Sequence, residues 1–97
     1  MIVVTIEMHV IPAKRKELLQ TIQELDNVKR KEKGFIASRI CTDAGDKNLL
    51  KLVEEWESQE DVDAYLQSDL FHVLGGAMQL LTSSSEMTAV NEVHKHS

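Results

Sequence analysis

The sequence predicts a small α+β domain in which strand, helix, strand, strand, helix and strand follow one another around an antiparallel sheet. Three observations carry that expectation. Apolar side chains alternate along residues 2–11 and crowd the β-capable run 49–57, which no Gly or Pro interrupts, with 35–42 reading as the strand between. They recur at helical spacing over residues 13–31 and again between Val62 and Leu81. Capping and turn-forming residues, Pro12, Gly34, Asp43 to Asn48, Ser58 and Ser68, punctuate those runs.

In chain order, Ile2, Val4, Ile6, Met8 and Val10 alternate with Val3, Thr5, Glu7, His9 and Ile11, so both sides of the first strand carry apolar groups. Pro12 ends that strand and suits a first helical turn, where its missing N–H costs nothing. The helix from Ala13 to about Lys31 sets Leu18, Ile22, Leu25 and Val28 on its inner stripe, widened by Leu19. Lys29, Arg30, Lys31 and Lys33 read as solvated charges at the negative helix end, and Gly34 as its left-handed stop. Phe35 to Thr42 and Leu49 to Glu57 form a hairpin through Asp43-Ala-Gly-Asp-Lys-Asn48. The second of these strands, uninterrupted by Gly or Pro, is expected to lie inside the sheet. Ser58, three residues before Asp61, caps a short helix with Val62, Tyr65 and Leu66 inward. Ser68 then restarts the helix, with Leu70, Leu74, Ala77, Met78 and Leu81 in phase. Thr82 to Ser85 reads as a polar loop, Glu86 to His94 as the last strand, and residues 94–97 as a loose tail.

This order matches the ferredoxin-like βαββαβ unit, and right-handed crossovers place both helices on one face of its sheet. The other face remains open although its strands carry apolar groups, which points to a second sheet from an identical chain. A length of 97 residues makes a single domain, 1–97, with a thin core of its own. A formal charge of −5 argues against phosphate-tracking nucleic-acid binding. The lone Cys41 offers neither a disulfide nor a metal-ligand pattern and reads as a small core residue of a reducing compartment. With no basic leader and no apolar run of membrane-spanning length, a cytoplasmic protein without membrane contact is expected.

The run ending Glu54-Glu55-Trp56-Glu57-Ser58, followed by Ala64-Tyr65-Leu66-Gln67-Ser68 and Phe71, resembles the signature of the antibiotic biosynthesis monooxygenase (ABM) domain. The resemblance implies a dimeric α+β barrel, made when two such sheets pack face to face, with a pocket between sheet and helices. Its members include cofactor-free oxygenases of small phenolic, quinol or anthrone-like substrates, haem-degrading enzymes and proteins that transform other metabolites. A cofactor-free monooxygenase acting on a small aromatic molecule is thus the first functional expectation, with no metal or flavin. The alternative is a non-catalytic, small-ligand-binding or stress-associated dimeric barrel. Several members carry His at the positions of Tyr65 and Leu70, which weakens a direct transfer of mechanism. The haem-degrading branch uses an Asn on the first strand, a Trp at the Tyr65 position and a His ligand near Gly75. Here Met8 or its neighbour, Tyr65 and Gly75 stand there, so haem degradation is disfavoured.

Tyr65, Glu54 and His72 are the candidate catalytic residues, and Trp56, Leu70, Phe71 and Leu74 the candidate substrate contacts bordering the expected cavity. Each has a plainer reading beside it. Glu54 is a candidate base or a structural acid paired with Arg39 or a backbone N–H; Tyr65 donates to a phenolate or quinone oxygen or packs in the core with its hydroxyl satisfied. Trp56 walls a pocket or packs at a strand end, and His72 shuttles a proton or sits on the helix surface. His9 beside Glu7 suggests a relay or an interface pair, while His94 and His96 belong to the tail. Met8, Met78 and Met87 read as core filler, and Gly75-Gly76 as a cavity mouth or a close helix contact.

Overall fold

A computed structural model describes residues 1–91; His94, His96 and the expected tail lie outside the described residues. The first strand, β1 (Ile2–Val10), leads through a single helical turn at Pro12–Lys14 into α1 (Arg15–Lys29). The hairpin β2 (Phe35–Thr42) and β3 (Leu49–Trp56) follows, then α2 (Gln59–Leu66), α3 (Asp69–Leu81) and β4 (Thr82–Asn91). All pairings are antiparallel in the order β2-β3-β1-β4, so β3 and β1 are the inner strands. This is the ferredoxin-like α+β fold.

The period-two pattern decides which face is covered. Ile2, Val4, Ile6, Met8 and Val10 of β1 are buried, together with Leu50, Leu52, Glu54 and Trp56 of β3. They meet Leu18 and Ile22 of α1, Val62 and Tyr65 of α2, and Leu74 and Leu81 of α3. Among the described residues, no helix is long and apolar enough to cross a membrane.

Local chemistry sets the boundaries. In the β2–β3 turn, Asp43 Oδ2 accepts from the Gly45 amide and Asp46 Oδ1 from the Asn48 amide, each at 2.9 Å. Ser58 Oγ accepts from the Asp61 amide to start α2, and Ser68 Oγ accepts from the Phe71 amide to start α3, both at 3.2 Å. Gly34 takes φ +84°, and its carbonyl accepts from the Glu57 amide at 2.8 Å, tying the end of α1 to the end of β3.

Four expectations are corrected. The inner stripe of α1 runs Leu18, Ile22, Leu25 and Lys29, leaving Val28 half exposed and Lys29 only 1% exposed, so Lys29 is not a solvated helix-end charge. Residues 82–85 form the start of β4 and not a loop, because Val10 pairs with Thr82 and the Thr82 hydroxyl donates to the Met78 carbonyl, satisfying the helix end. Cys41 is exposed: it pairs with Lys51 on the uncovered face of the sheet, whereas its neighbour Ile40 pairs with Leu52 on the helix side. Met87 likewise sits 43% exposed, because β4 is an edge strand that α3 leaves largely uncovered.

Candidate functional site

Glu54 is an acid on the inner face of β3 and is fully buried, so its charge must be answered inside the core. Three donors do so. Lys29 Nζ lies 2.6 Å from Oε2, the Tyr65 hydroxyl donates to the same oxygen at 2.8 Å, and Trp56 Nε1 stands 3.5 Å from Oε1. The first two are short charge-assisted contacts, and the third is at the outer limit of hydrogen bonding. Sequence geometry brings these groups together. Residue 54 shares a strand face with 56; position 65 lies on the inner face of the helix that follows Ser58; position 29 continues the α1 stripe two turns beyond Ile22. Arg39, first considered as the partner of Glu54, pairs in register with Val53 on β3, so it belongs to the opposite face of the sheet.

The rings complete the layer. Trp56 and Tyr65 stack at 4.5 Å between centroids, and Phe35 and Phe71 meet them edge-on at 5.6 Å and 5.2 Å. Burial, reinforced by the negative charge of Glu54, raises the Tyr65 hydroxyl far above its ordinary range, so it remains a neutral donor.

Lys29 also faces Asp26 Oδ1 at 3.8 Å. Asp26 Oδ2 is held by Arg30 Nη2 at 3.0 Å, while Oδ1 is buried with no hydrogen-bond partner among the described residues. Asp26 lines a cavity of about 430 Å³ beside the layer. Leu19, Ile22, Gln23 and Asp26 of α1 form one wall; Ser38, Arg39 and Ile40 of β2 and Leu52 of β3 form the other. The cavity exists because α1 does not fully cover edge strand β2, where Ile40 stays 38% exposed. Its volume lies within the range of roughly 300–1,000 Å³ typical of small-ligand sites, and its apolar walls with a few polar groups fit that class.

The structure thus brings together Glu54, Trp56, Tyr65 and Phe71, with Leu74 buried in the same core and Leu70 partly buried against it. It does not bring His72 to them, since that side chain is on the exposed side of α3. None of these residues lines the cavity under α1; the cavity lies toward β2 and not along the segment Leu70 to Leu74. Lys29 and Asp26 were missed. The signal for Lys29 was its i+4 offset from Leu25 together with an acid on the inner face of β3 that needed a cation.

The fold is shared widely. A conserved protein from Methanosarcina mazei Go1 superposes with a TM-score of 0.88 at 22% identity, covering 95% of this chain and 92% of its own. A crystal structure of an antibiotic biosynthesis monooxygenase gives 0.84 at 19% identity, covering 97% and 100%. The protein Rv0793 of Mycobacterium tuberculosis gives 0.87 at 18% identity, covering 99% and 98%. Among curated proteins, none matches the chain significantly. The sequence profile of the antibiotic biosynthesis monooxygenase family, by contrast, matches residues 1–74, from β1 into α3 and across every member of the buried layer. On that match, with the fold in agreement, the chain belongs to the antibiotic biosynthesis monooxygenase family.

Proposed function

We propose that this protein is a cofactor-independent monooxygenase of small phenolic, quinol or anthrone-like molecules, working as a cytoplasmic homodimer. Family membership supports the reaction class, and the observation that carries the reading is the cavity under α1: largely apolar walls with Asp26, Gln23 and Ser38 as polar groups. Such a site suits a flat apolar ring bearing ionisable hydroxyls. Removing a proton from the substrate leaves an electron-rich anion that passes one electron to O₂, and the radical pair recombines as a peroxide. The peroxide regains the proton; its O–O bond then breaks, leaving one oxygen on carbon as a carbonyl and the other as water. A CH₂ group and O₂ thereby become C=O and H₂O, with no outside reductant. A low-dielectric pocket favours this, because fixed donors stabilise the anion more strongly there than in water. Glu54, Trp56 and Tyr65 take part as the rigid layer behind the cavity wall.

Oxygen uptake with a panel of quinols and anthrones tests the reading. One O₂ consumed per carbonyl formed, without hydrogen peroxide, is the expected result. A rate no greater than the buffer blank across the panel would leave the second reading, a non-catalytic small-ligand-binding barrel. That second reading is favoured by one observation: Glu54, Lys29, Tyr65 and Trp56 satisfy one another and are sealed from solvent, as in a structural core. Haem degradation is the weakest reading, because α3 presents Gly75 where a ligating imidazole would stand.

The dimer reading draws on the uncovered sheet face. Register places Glu86, Glu7, Lys51 and Cys41 in one row and Thr88, Thr5, Val53 and Arg39 in the next. A third row reads Val90, Val3, Glu55 and Ala37. Apart from Glu55, acids lie toward β4 and bases toward β2. A two-fold axis along the strands lays the acidic side of one sheet over the basic side of the other, around a centre of Val and Thr.

A further inference from the structure

We infer that Ser38 orients the ligand of the cavity under α1: the cavity takes a flat, neutral molecule of about two or three fused rings, apolar at one end and carrying at the other an oxygen that hydrogen-bonds the Ser38 hydroxyl. The inference rests on reading the cavity as a ligand site and not on oxygen chemistry. Its first support is that the hydroxyl is both unengaged and open. Ser38 pairs in register with Glu54, whose side chain lies on the helix side of the sheet, so the Ser38 side chain points to that side too, beneath α1. Among the described residues the hydroxyl has no hydrogen-bond partner. It is not sealed either, because the buried side-chain oxygens without a partner there are Asp26 Oδ1 and Asn48 Oδ1. Ser38 thus lines the cavity half-buried, with a hydroxyl still accessible to a ligand.

A second support is the lengthwise polarity of the cavity. Contacts at both ends of α1 fix how it runs over the hairpin. Arg15 donates to the Lys47 carbonyl at 2.8 Å and to Thr42 Oγ1 at 3.5 Å, at the far end of β2, while Lys29 Nζ lies 2.6 Å from Glu54, the register partner of Ser38. Leu19 and Ile22 therefore lie toward Ile40 and Leu52, and Asp26 toward Ser38, with Gln23 between. From residue 19 to residue 26 the helix rises by roughly 10 Å, room for a small ring system lying along it. Charges beside the polar end offset one another: Lys29 faces Glu54 and Asp26, and Arg30 holds Asp26 at 3.0 Å. A charged head would give up its water there without a free counter-charge. A neutral hydroxyl or carbonyl needs only one hydrogen bond, which Ser38 can give or receive and the Gln23 amide can supplement. Arg39 stands between Ser38 and Ile40 on β2 and alternates toward the other face, so it borders the rim.

The test measures 2-naphthol and 2-methylnaphthalene, the same ring with and without the oxygen, by equilibrium dialysis against the full chain. Ser38→Ala is expected to weaken 2-naphthol about fivefold, the effect of one neutral hydrogen bond, and to leave 2-methylnaphthalene within about twofold of wild type. Ser38→Thr, which keeps the hydroxyl, should retain the wild-type ratio of the two affinities, as should Arg39→Met. Leu19→Ala, at the apolar end, should weaken both compounds alike. The near-ultraviolet circular dichroism of Trp56 and Tyr65 reports whether each variant is folded; if Ser38→Ala is not, Ser38→Cys, similar in size and a much weaker donor, takes its place. An unchanged ratio in that variant, a loss common to both compounds, no binding of either to the wild type, or a ratio that moves instead with Arg39→Met overturns the inference. Oxygen uptake with the quinol and anthrone panel on the same samples separates the two proposals. Turnover with an unmoved ratio overturns this one, and a shifted ratio without turnover overturns only the oxygenase reading.

Discussion

Removing the Lys29 ammonium strands the Glu54 carboxylate in a core from which both side chains are almost wholly excluded from water. Lys29→Met is accordingly expected to destabilise the fold by about 3–5 kcal/mol, measured by urea denaturation. Lys29→Met combined with Glu54→Leu should recover much of that loss, since the buried charge is then gone from both sides. Tyr65→Phe deletes one donor but leaves Glu54 paired with Lys29, so a loss of about 1–3 kcal/mol in stability is expected. The hydroxyl also has a pH signature. Burial, with Glu54's charge adding to it, raises its folded pKa above the ordinary value of 10.0, so the unfolded chain loses that proton first. Stability from this group is full below pH 10 and declines above it, by about 1.4 kcal/mol per pH unit. Denaturation midpoints of wild type and Tyr65→Phe from about pH 9 upward should converge as the wild type loses this contribution. Since the chain has a single tyrosine, phenolate absorbance should appear only as it unfolds.

Among the elements, the junction of α1, β2 and α2 is the most constrained. Gly34 holds φ +84°, and a Cβ there would fall 2.2 Å from Asp61 Oδ2, the side chain that the Ser58 hydroxyl contacts at 2.9 Å. Gly34→Ala meets both a left-handed backbone cost of about 1–2 kcal/mol and a clash that displaces Asp61, whereas Ser58→Ala loses only a cap of about 1 kcal/mol. Thermal midpoints of the two variants should therefore rank with Gly34→Ala lower. Much of this element level was legible in the chain. Pro12, Gly34, Ser58 and Ser68 act on their immediate neighbours, so their effects follow from residue type and spacing. Long-range effects were harder to read. Thr82 to Ser85 have loop-like composition, yet pairing with β1 draws them into a strand. Lys29 has the residue type of a helix-end charge, and only the inner phase of α1 set against Glu54 reveals its burial. The cavity depends on how far α1 reaches over β2, a distance that no periodicity encodes.

For the whole molecule, the expected particle is a dimer of twice the 11.0 kDa chain, measured by sedimentation equilibrium at micromolar concentration. Lys51→Glu should weaken it by setting three acids in one row with Glu7 and Glu86, and Glu7→Lys added to Lys51→Glu should restore it. A sedimenting monomer at every concentration would rule the assembly out. The sheet that forms this face also imposes an order on biosynthesis. β1 is the first strand of this sheet to leave the ribosome, yet one of its two neighbours, β4, begins only at Thr82. Until those residues emerge, β1 has an unpaired edge carrying Ile2, Val4 and Ile6, the kind of template that other strands add to. A nascent chain stalled within α3 should therefore engage holdase chaperones, and release from them should coincide with the arrival of β4.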